Sequence, residues 1–407
     1  MMSKLRVRVY DVKFGDAILI TIPKGAKDVR HVLIDVGNAP FKEGSDKSVY
    51  LPIIEDVLAE LNGKPLHLYI STHEHMDHVQ GLFHASRDLA QENRDLAKEL
   101  KAKRVWLTAS ADPDYYNRHP DARRKKAFHE ALYLRIAEAE KRLGRPMLPA
   151  AFEAMAANNH PRSTTACVDY VRDLGGKNVR YLHRGADANL AHKLPDVEIR
   201  VLAPEEDTSV YYGRRGMAAD ALWLDDAKSQ SLLELAGEPE RQLPSAPQGV
   251  DATSFRTLWE VFRDGPLTDA LLQIDKAANN TSLVLELTWH RWKLLFTGDA
   301  EERSWEEMSA QGVLQPVHFL KVSHHGSHNG TPSENILDAV LPIVDGVDRI
   351  AVVSTCANTY SGIPHKPTDT AIKRRCKTFR KTTERMLDTT ESGARYIDFE
   401  FDSSGPP

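Results

Sequence analysis

The apolar run Leu66-His67-Leu68-Tyr69-Ile70 and the polar run that follows it, Ser71-Thr72-His73-Glu74-His75-Met76-Asp77-His78, decide how this chain is interpreted. An apolar run of this length that polar residues close is typical of a buried strand. The histidines are therefore predicted to lie in the turn where the strand ends. A helix is predicted to follow from Val79 to Asn93.

Four potential metal ligands fall within this turn. His73 and His75 are two residues apart, so in an extended backbone their imidazoles project to the same side. Asp77 and His78 follow where the helix begins and could reach a second cation. Imidazole and carboxylate suit zinc, manganese or iron, and a site with open positions produces a metal-bound hydroxide at neutral pH. A solvated, histidine-rich turn is the alternative, but this spacing favours a metal site.

The composition is that of an ordinary globular protein. The chain has 407 residues, 27% of them charged, and a net charge of -5. This length allows one large domain or two to three ordinary ones. Since no positive excess indicates nucleic acid, such a partner would bind local patches. Three cysteines without a CxxC pair argue against a disulfide framework. No apolar run reaches membrane-spanning length, so we predict a cytoplasmic protein with no membrane partner.

Two later predicted strands also end in ligand-type residues. The strand Trp292–Phe296 runs into Thr297-Gly298-Asp299, and the strand Val317–Val322 runs into Ser323-His324-His325. Three strand ends that deliver histidine or aspartate to one sheet edge predict a single metal centre. Asp35 also ends a predicted strand, and the sequence leaves open whether it stabilises a turn or leans toward the site.

Two stretches interrupt the regular pattern and are predicted to be insertions in a single domain that spans residues 1–407. Residues 109–165 are charged and helical in pattern and contain the basic run Arg123–Lys126, which is either a solvated helix face or a substrate contact. Residues 204–270 are poorly patterned and rich in proline, as in a lid or an irregular segment.

These motifs together resemble the metallo-β-lactamase superfamily, and within it the soluble hydrolase domain of the ComEC/Rec competence proteins. The resemblance spans residues 11 to 367 without the two insertions. It implies an α/β fold, the αββα metallo-β-lactamase sandwich, with metals at the sheet edges. The matching segments are Asp11-Val12-Lys13-Phe14-Gly15-Asp16-Ala17, Leu33-Ile34-Asp35-Val36-Gly37, the pattern HxHxDH at 73–78, Asn279-x-x-Ser282, Leu294–Asp299, Leu320–Ser327, Asn358-Thr359-Tyr360 and His365-Lys366-Pro367.

The resemblance also implies a ligand set. It assigns His73 and His75 to a first metal, Asp77 and His78 to a second, and Asp299 as the bridge. His325 is the preferred final ligand. The implied cofactor is one or two zinc ions, with manganese as the alternative.

Other roles are implied in the same way. The candidate catalytic residues are Asp77, Asp299 and His324, the last as a proton donor or phosphate contact. Many family members have another first-site histidine where this chain has Asn279, so that site could be completed by Asn279, water, His160 or His183. The candidate substrate-binding residues are Asn279, Ser282, Asn358, Tyr360 and His365.

The implied function is that of a metal-dependent hydrolase, a phosphodiesterase or nuclease acting on nucleic acid or another phosphodiester. The basic segment Lys373–Lys377, with Arg380 and Lys381, could neutralise phosphates. It could equally be a helix surface, because Ile372, Cys376 and Phe379 repeat at helical spacing. A lactonase, esterase or thioester hydrolase of the same fold is one alternative. A binding or regulatory module with a vestigial metal site is another, although the intact ligand set argues against it.

Overall fold

The computed structural model describes residues 4–25, 28–38, 47–123, 126–127, 158–187, 194, 196–211, 275–356, 363–384 and 387–406. Within these ranges the chain is a mixed α/β protein with two sheets. The strands are β1 Lys4–Tyr10, β2 Ala17–Lys24, β3 Asp28–Val36, β4 Leu68–Ile70, β5 Val105–Thr108, β6 Val179–Leu182, β7 Val197–Ala203, β8 Val284–Trp289, β9 Trp292–Phe296, β10 Phe319–Lys321, β11 Ile350–Val353, β12 Thr378–Lys381, β13 Asp388–Thr389 and β14 Arg395–Asp402. The α-helices are α1 Lys47–Leu61, α2 Met76–Gln91, α3 Leu96–Glu99, α4 Tyr115–Arg118, α5 Pro161–Gly175, α6 Glu302–Ala310, α7 Glu334–Val340 and α8 Lys366–Lys373.

Each sheet contains a run of parallel strands. The larger sheet has the order β13-β14-β1-β2-β3-β4-β5-β6, and the smaller has the order β12-β11-β10-β9-β8-β7. Strands β3 to β6 are parallel to one another, as are β9 to β12. Because parallel strands end at the same edge of a sheet, the residues that follow β3 and β4, and those that follow β9 and β10, are brought together in two neighbouring groups.

The two sheets share one apolar core, and helices cover their other faces. Val32 and Ile34 of β3 belong to the shared core together with residues of the smaller sheet such as Leu285. Leu33, between them, packs instead with the helices α1, α2 and α5. A strand buried on both faces has a continuous apolar sequence, which explains the uninterrupted runs. Helices α6, α7 and α8 pack against the smaller sheet, so the layers are helix, sheet, sheet, helix.

Most of the regular elements agree with the sequence predictions. Strand β9 coincides with the predicted Trp292–Phe296. Helix α1 ends at Leu61, and the next two residues, Asn62 and Gly63, both adopt a positive φ. The predicted helix after the histidine cluster begins earlier than expected, at Met76, so that Asp77 and His78 lie in its first turn.

The prediction of a helical face from Ile372 to Phe379 was wrong. Helix α8 ends at Lys373, and Phe379 lies in β12, which pairs in parallel with β11. Ile372, Cys376 and Phe379 nevertheless pack against the same apolar cluster. The spacing of these three residues fits a helix. If the helix continued, however, the edge of β11 would lack the backbone hydrogen bonds that it forms with β12.

Large parts of both predicted insertions lie outside the described residues. Of residues 109–165 the structure describes 109–123, 126–127 and 158–165, and of residues 204–270 it describes 204–211. The division into one domain with two insertions therefore stays a prediction. Cys167, Cys356 and Cys376 form no disulfide with one another. Within the described ranges, no helix combines the length and apolar character needed to cross a bilayer.

Candidate metal centre

Four buried side chains meet beyond the ends of β4, β9 and β10, strands that belong to both sheets. Asp77, His78, Asp299 and His325 each offer one ligand atom, and these atoms lie within 4.8 Å of one another. Nε2 of His325 is 3.4 Å from Oδ2 of Asp77 and 3.3 Å from Oδ2 of Asp299. Nε2 of His78 is also 3.3 Å from Oδ2 of Asp299. These four residues could hold a metal ion.

A second group adjoins the first. His73, His75 and Asp77 offer ligand atoms that lie within 4.8 Å of one another, and the rings of His73 and His75 are 4.6 Å apart. His75 has an extended backbone and directly precedes α2, so the chain turns between the two histidines and Asp77. Asp77 belongs to both groups. The resemblance assigned the bridging role to Asp299, which here belongs to the first group alone.

The residues present fit a cation, as their unpaired atoms show. Among the described residues, five buried polar atoms of these groups have no hydrogen-bond partner: Nε2 of His73, His75 and His78, and Oδ1 of Asp77 and Asp299. Leaving such an atom buried and unpaired costs about 1–3 kcal/mol. Five of them in one cluster are not explained by packing, whereas a cation would bind imidazole nitrogen and carboxylate oxygen alike.

Asp35 orients the ring of His78 by binding Nδ1, the ring nitrogen that does not face the other candidate ligands. Its Oδ2 lies 2.8 Å from Nδ1 of His78. Thr72 donates to both carboxylate oxygens, from its backbone N at 2.8 Å and from its hydroxyl at 2.7 Å. A carboxylate on one ring nitrogen fixes the tautomer and leaves the other nitrogen as the ligand. The structure therefore places Asp35 at the site, a role that the sequence left open.

Two glycines allow the loops after β1 and β3 to reach the backbone of Asp77. A Cβ on Gly37 would lie 2.1 Å from the carbonyl carbon of Asp77, and one on Gly15 would lie 2.4 Å from its oxygen. The N–H of Asp16 donates to that oxygen at 3.2 Å, and the N–H of Gly37 donates to the carbonyl of Asp16 at 3.1 Å. No side chain can be accommodated at this contact, which sets the position of the first turn of α2.

His325 is oriented by its backbone conformation and by two contacts. It lies in a short 3-10 turn, His324–Gly326, with a positive φ of 54°. Its Nδ1 lies 3.1 Å from the carbonyl oxygen of Ser354, and the ring of Phe14 packs against it at 4.3 Å. Donation from Nδ1 to a carbonyl leaves Nε2 as the ligand atom.

Asp299 is held by residues that precede β8. The hydroxyl of Ser282 accepts a hydrogen bond from the N–H of Asp299 at 3.1 Å. The side-chain oxygen of Asn280 accepts from the N–H groups of Glu301 and Ser304 at 3.2 and 2.8 Å. Ser282 is completely buried. It therefore supports Asp299 from within the fold, and a direct contact between Ser282 and substrate stays a prediction.

The charges of the centre shift one another's pKa values. Burial lowers the pKa of His73 far below its usual value, and the neighbouring His78 and His75 add to this. Burial also disfavours protonated His325, but the carboxylates of Asp299 and Asp77 outweigh it and raise the pKa to about 9. Burial works against ionised Asp299, yet His325 and His78 hold its pKa well below the usual range. His73 is therefore ready to bind a cation, whereas His325 must first lose a proton.

A third group lies next to the first two. Asp275, Glu301 and His324 also have ligand atoms within 4.8 Å of one another. Here, however, Nδ2 of Asn279 lies 2.8 Å from Oε1 of Glu301, 3.3 Å from Oδ2 of Asp275 and 3.5 Å from Nε2 of His324. An amide group already occupies the position that a cation would take. His324 pairs with Glu301 and is separate from the four-residue group that contains His325.

The remaining predicted site residues have varied positions. Nδ1 of His160 accepts from the N–H of Ser163 at the start of α5, and Nδ1 of His183 lies 2.8 Å from the carbonyl oxygen of Arg184. Neither belongs to a metal-binding group among the described residues. His365 precedes α8, and its N–H donates to the carbonyl of Gly326 at 2.8 Å. Asn358 and Tyr360 lie outside the described residues. Substrate contacts by Asn279 and His365 stay predictions.

Five basic side chains between positions 374 and 381 are paired with acids of the same chain. The described partners are Glu334 for Arg374, Glu334 and Asp338 for Arg375, Asp348 for Lys377, Glu384 for Arg380 and Asp369 for Lys381. In the other basic run, Lys126 lies 4.0 Å from Glu74, between the two histidines of the second group. Arg124 and Lys125 lie outside the described residues.

Sequence reasoning missed two residues of the site. Oδ1 of Asn158 accepts a hydrogen bond from the N–H of Asp77 at 3.0 Å, and Glu301 contacts His324. The only available signal for Glu301 was its position two residues after Asp299. Asn158 gave no signal, because its contact spans 81 residues of sequence.

Comparison with known proteins adds no assignment to this site. No protein-family model matches the chain, and no curated protein matches it in sequence.

Proposed function

We propose that this protein is a metal-dependent hydrolase of the metallo-β-lactamase fold that cleaves phosphodiester bonds. The observation that carries the proposal is the pair of adjacent ligand groups that share Asp77, with five buried ligand atoms that have no hydrogen-bond partner in the part of the chain that the structure describes. The proposed cofactor is one or two zinc ions, with manganese as the alternative. The helix–sheet–sheet–helix packing and the position of the ligands after strand ends support this fold.

The ligand residues would divide between two cations. Asp77, His78, Asp299 and His325 would hold one, and His73, His75 and Asp77 the other. Asn279 stands where many family members have a histidine, and its buried Oδ1 has no hydrogen-bond partner among the described residues. In the proposed site this oxygen would serve as a further ligand beside His73, His75 and Asp77. A bound cation would let water attack at neutral pH and would stabilise negative charge in the transition state.

The chain itself would supply the proton for the leaving group. As the attacking oxygen bonds to phosphorus and the bond to the leaving oxygen breaks, that oxygen takes a proton from His324. Solvent later returns one. Oε1 of Glu301 lies 3.1 Å from Nδ1 of His324 and would orient the ring. General acid catalysis of this kind contributes roughly 10²–10⁴-fold, most for strongly basic leaving groups.

Nucleic acid is one candidate source of the phosphodiester. The internal pairing of Arg374, Arg375, Lys377, Arg380 and Lys381 argues that this segment is not the phosphate-binding surface. Lys126 is better placed: it also contacts an acid, Glu74, at the longer distance of 4.0 Å, but Glu74 lies between His73 and His75 and so brings Lys126 close to the candidate ligands.

The test offers the purified protein single-stranded DNA, duplex DNA, RNA, a chromogenic phosphodiester, a chromogenic carboxylic ester and a lactone, each with zinc or manganese. We expect phosphodiester cleavage that is lost in Asp77→Ala/His78→Ala. Asp388→Ala, which removes an exposed carboxylate of β13, is the matched control.

The contrary outcomes are distinct. Turnover of the ester or lactone without phosphodiester cleavage would favour the lactonase or esterase alternative. No turnover by protein that elemental analysis shows to be metal-loaded would favour a binding or regulatory module. Full activity in the double variant would exclude a mechanism through these ligands.

A further inference from the structure

A continuous chain of polar contacts leads from the two insertions to His324. Nδ2 of Asn159 donates to Oδ1 of Asp275 at 2.8 Å. Nδ2 of Asn279 lies between Oδ2 of Asp275, at 3.3 Å, and Oε1 of Glu301, at 2.8 Å. The same Oε1 lies 3.1 Å from Nδ1 of His324. Asn159 belongs to the predicted first insertion, and Asp275 follows the predicted second one.

The central part of this series of polar contacts lies in the protein interior. Asn279 and Glu301 are buried, at 1% and 2% exposure. The backbone of Glu301 is held in turn by Asn280, which accepts its N–H. Placing the half-buried carboxylate of Asp275 near the buried carboxylate of Glu301 costs free energy unless each is hydrogen-bonded, so the contacts of both with Asn279 and of Glu301 with His324 support one another.

His324 has little freedom at the end of this chain. Its Nδ1 lies 3.0 Å from the hydroxyl of Ser327 as well as close to Glu301. A Cβ on Gly330 would lie 2.7 Å from Cβ of His324, so the backbone of a neighbouring turn packs directly against it. The ring is therefore held at one nitrogen and enclosed at its base.

We propose that Asn159, Asp275, Asn279 and Glu301 are positioning residues that hold the imidazole of His324 beside the metal centre, so that the end of the first predicted insertion and the residues just after the second contribute to the reaction. This inference rests on the proposed function. It adds that three residues outside the matched motifs, Asn159, Asp275 and Glu301, help to determine how well the leaving group is protonated.

The experiment compares two phosphodiesters that differ only in the leaving group, one p-nitrophenyl and one alkyl. A p-nitrophenolate departs without protonation, whereas an alkoxide requires a proton. Asn159→Ala and Glu301→Gln are expected to lower kcat for the alkyl ester by about tenfold or more and to change kcat for the p-nitrophenyl ester by less than about twofold. Elemental analysis should find unchanged metal content. Asn178→Ala, at an exposed asparagine, is the matched control.

A second measurement avoids catalysis. In ¹H–¹⁵N spectra of the metal-free protein, the ring N–H of His324, assigned with His324→Gln, should exchange slowly with solvent. Asn159→Ala and Glu301→Gln should accelerate that exchange, and Asn178→Ala should leave it unchanged.

Equal loss on both esters, loss of bound metal or unchanged exchange would each overturn the inference. If the wild-type protein cleaved neither ester, the proposed function would fail, and this inference with it. If the wild-type protein cleaved both esters and the variants lost the same fraction of kcat on each, the proposed function would stand and only this inference would be refuted.

Discussion

The Asp35 carboxylate lies 2.8 Å from Nδ1 of His78 and accepts two further hydrogen bonds from Thr72. Asp35 is completely buried, and its backbone has a positive φ of 52°. A non-glycine residue adopts that conformation at a cost of about 1 kcal/mol or more, which the surrounding contacts must offset. This backbone conformation at the end of β3 places the carboxylate against Nδ1 of the candidate ligand His78.

Replacing this carboxylate should weaken metal binding. In Asp35→Asn the amide oxygen could still accept the proton of Nδ1 of His78. The amide NH2 group would then face the backbone N–H of Thr72, which is itself a donor. We expect metal affinity to fall by roughly 10–100-fold, as for other carboxylates that orient ligating histidines. Calorimetric titration of metal-free protein with zinc measures this.

Asp28→Asn serves as the control on the same strand, because Asp28 is partly exposed and pairs with Arg30 and Lys64. Equal affinity of the wild type and Asp35→Asn would show that Asp35 does not orient the ligand.

Gly37→Ala should disturb the centre through the backbone. The added methyl would lie 2.1 Å from the carbonyl group of Asp77, so either the loop or the first turn of α2 must move. Overpacking of this kind costs about 1–3 kcal/mol or more. We expect a lower free energy of unfolding, measured in urea, together with weaker zinc binding.

Gly63→Ala is the control for Gly37→Ala, because it introduces backbone strain without a steric clash. Gly63 also has a positive φ, of 74°, but a methyl there meets nothing within 4 Å. It should lose about 1 kcal/mol of stability and bind zinc normally. Normal zinc affinity in Gly37→Ala would mean that the close approach does not control the ligands.

The sequence was most informative where strands are buried on both faces. The apolar runs at β4 and β9 could be recognised because each of these strands is covered by apolar side chains on both of its faces. The residues that follow them, His73 to His78 and Asp299, are the ones that meet in the centre.

Contacts made across the fold could not be foreseen. Asn158 reaches Asp77, and Asn159 reaches Asp275, from a stretch that has no recognisable motif. The boundary between α8 and β12 was missed for a related reason, since Arg374 and Arg375 carry no helix-stop signal. Only the pairing of β12 with β11 shows where the helix must end.

His31 should make stability depend on pH. Burial, aided by Arg6 and Lys64, lowers its pKa from 6.5 to about 4 in the folded protein. The unfolded chain therefore binds a proton between pH 6.5 and 4 that the folded protein does not. Stability is fully present above pH 6.5 and falls as the pH falls toward 4. Between pH 7 and pH 5 the loss should be on the order of 1–2 kcal/mol.

His31→Gln isolates this effect from other titrating groups. Urea unfolding of both proteins at a series of pH values should show curves that converge as the pH falls, because only the wild type loses the contribution of His31. Curves that stay parallel from pH 7 to pH 5 would contradict the prediction.

A buried ion pair joins the two sheets beneath the centre. Nζ of Lys321, in β10, lies 2.7 Å from Oδ2 of Asp16, and the side chains are 1% and 2% exposed. Asp16 lies in the loop that contacts the backbone of Asp77, and its charge acts on His325. The pair therefore links the strand before His325 to the loop that supports α2.

Removing one member of this pair should be far worse than removing both. Lys321→Met leaves the Asp16 carboxylate buried without its cation, which costs about 3–5 kcal/mol. Lys321→Met/Asp16→Asn leaves no buried charge, so its loss should be well below the sum of the two single losses. Urea unfolding of the four proteins gives the coupling energy. Additivity within about 0.5 kcal/mol would show that the two groups act independently despite their contact.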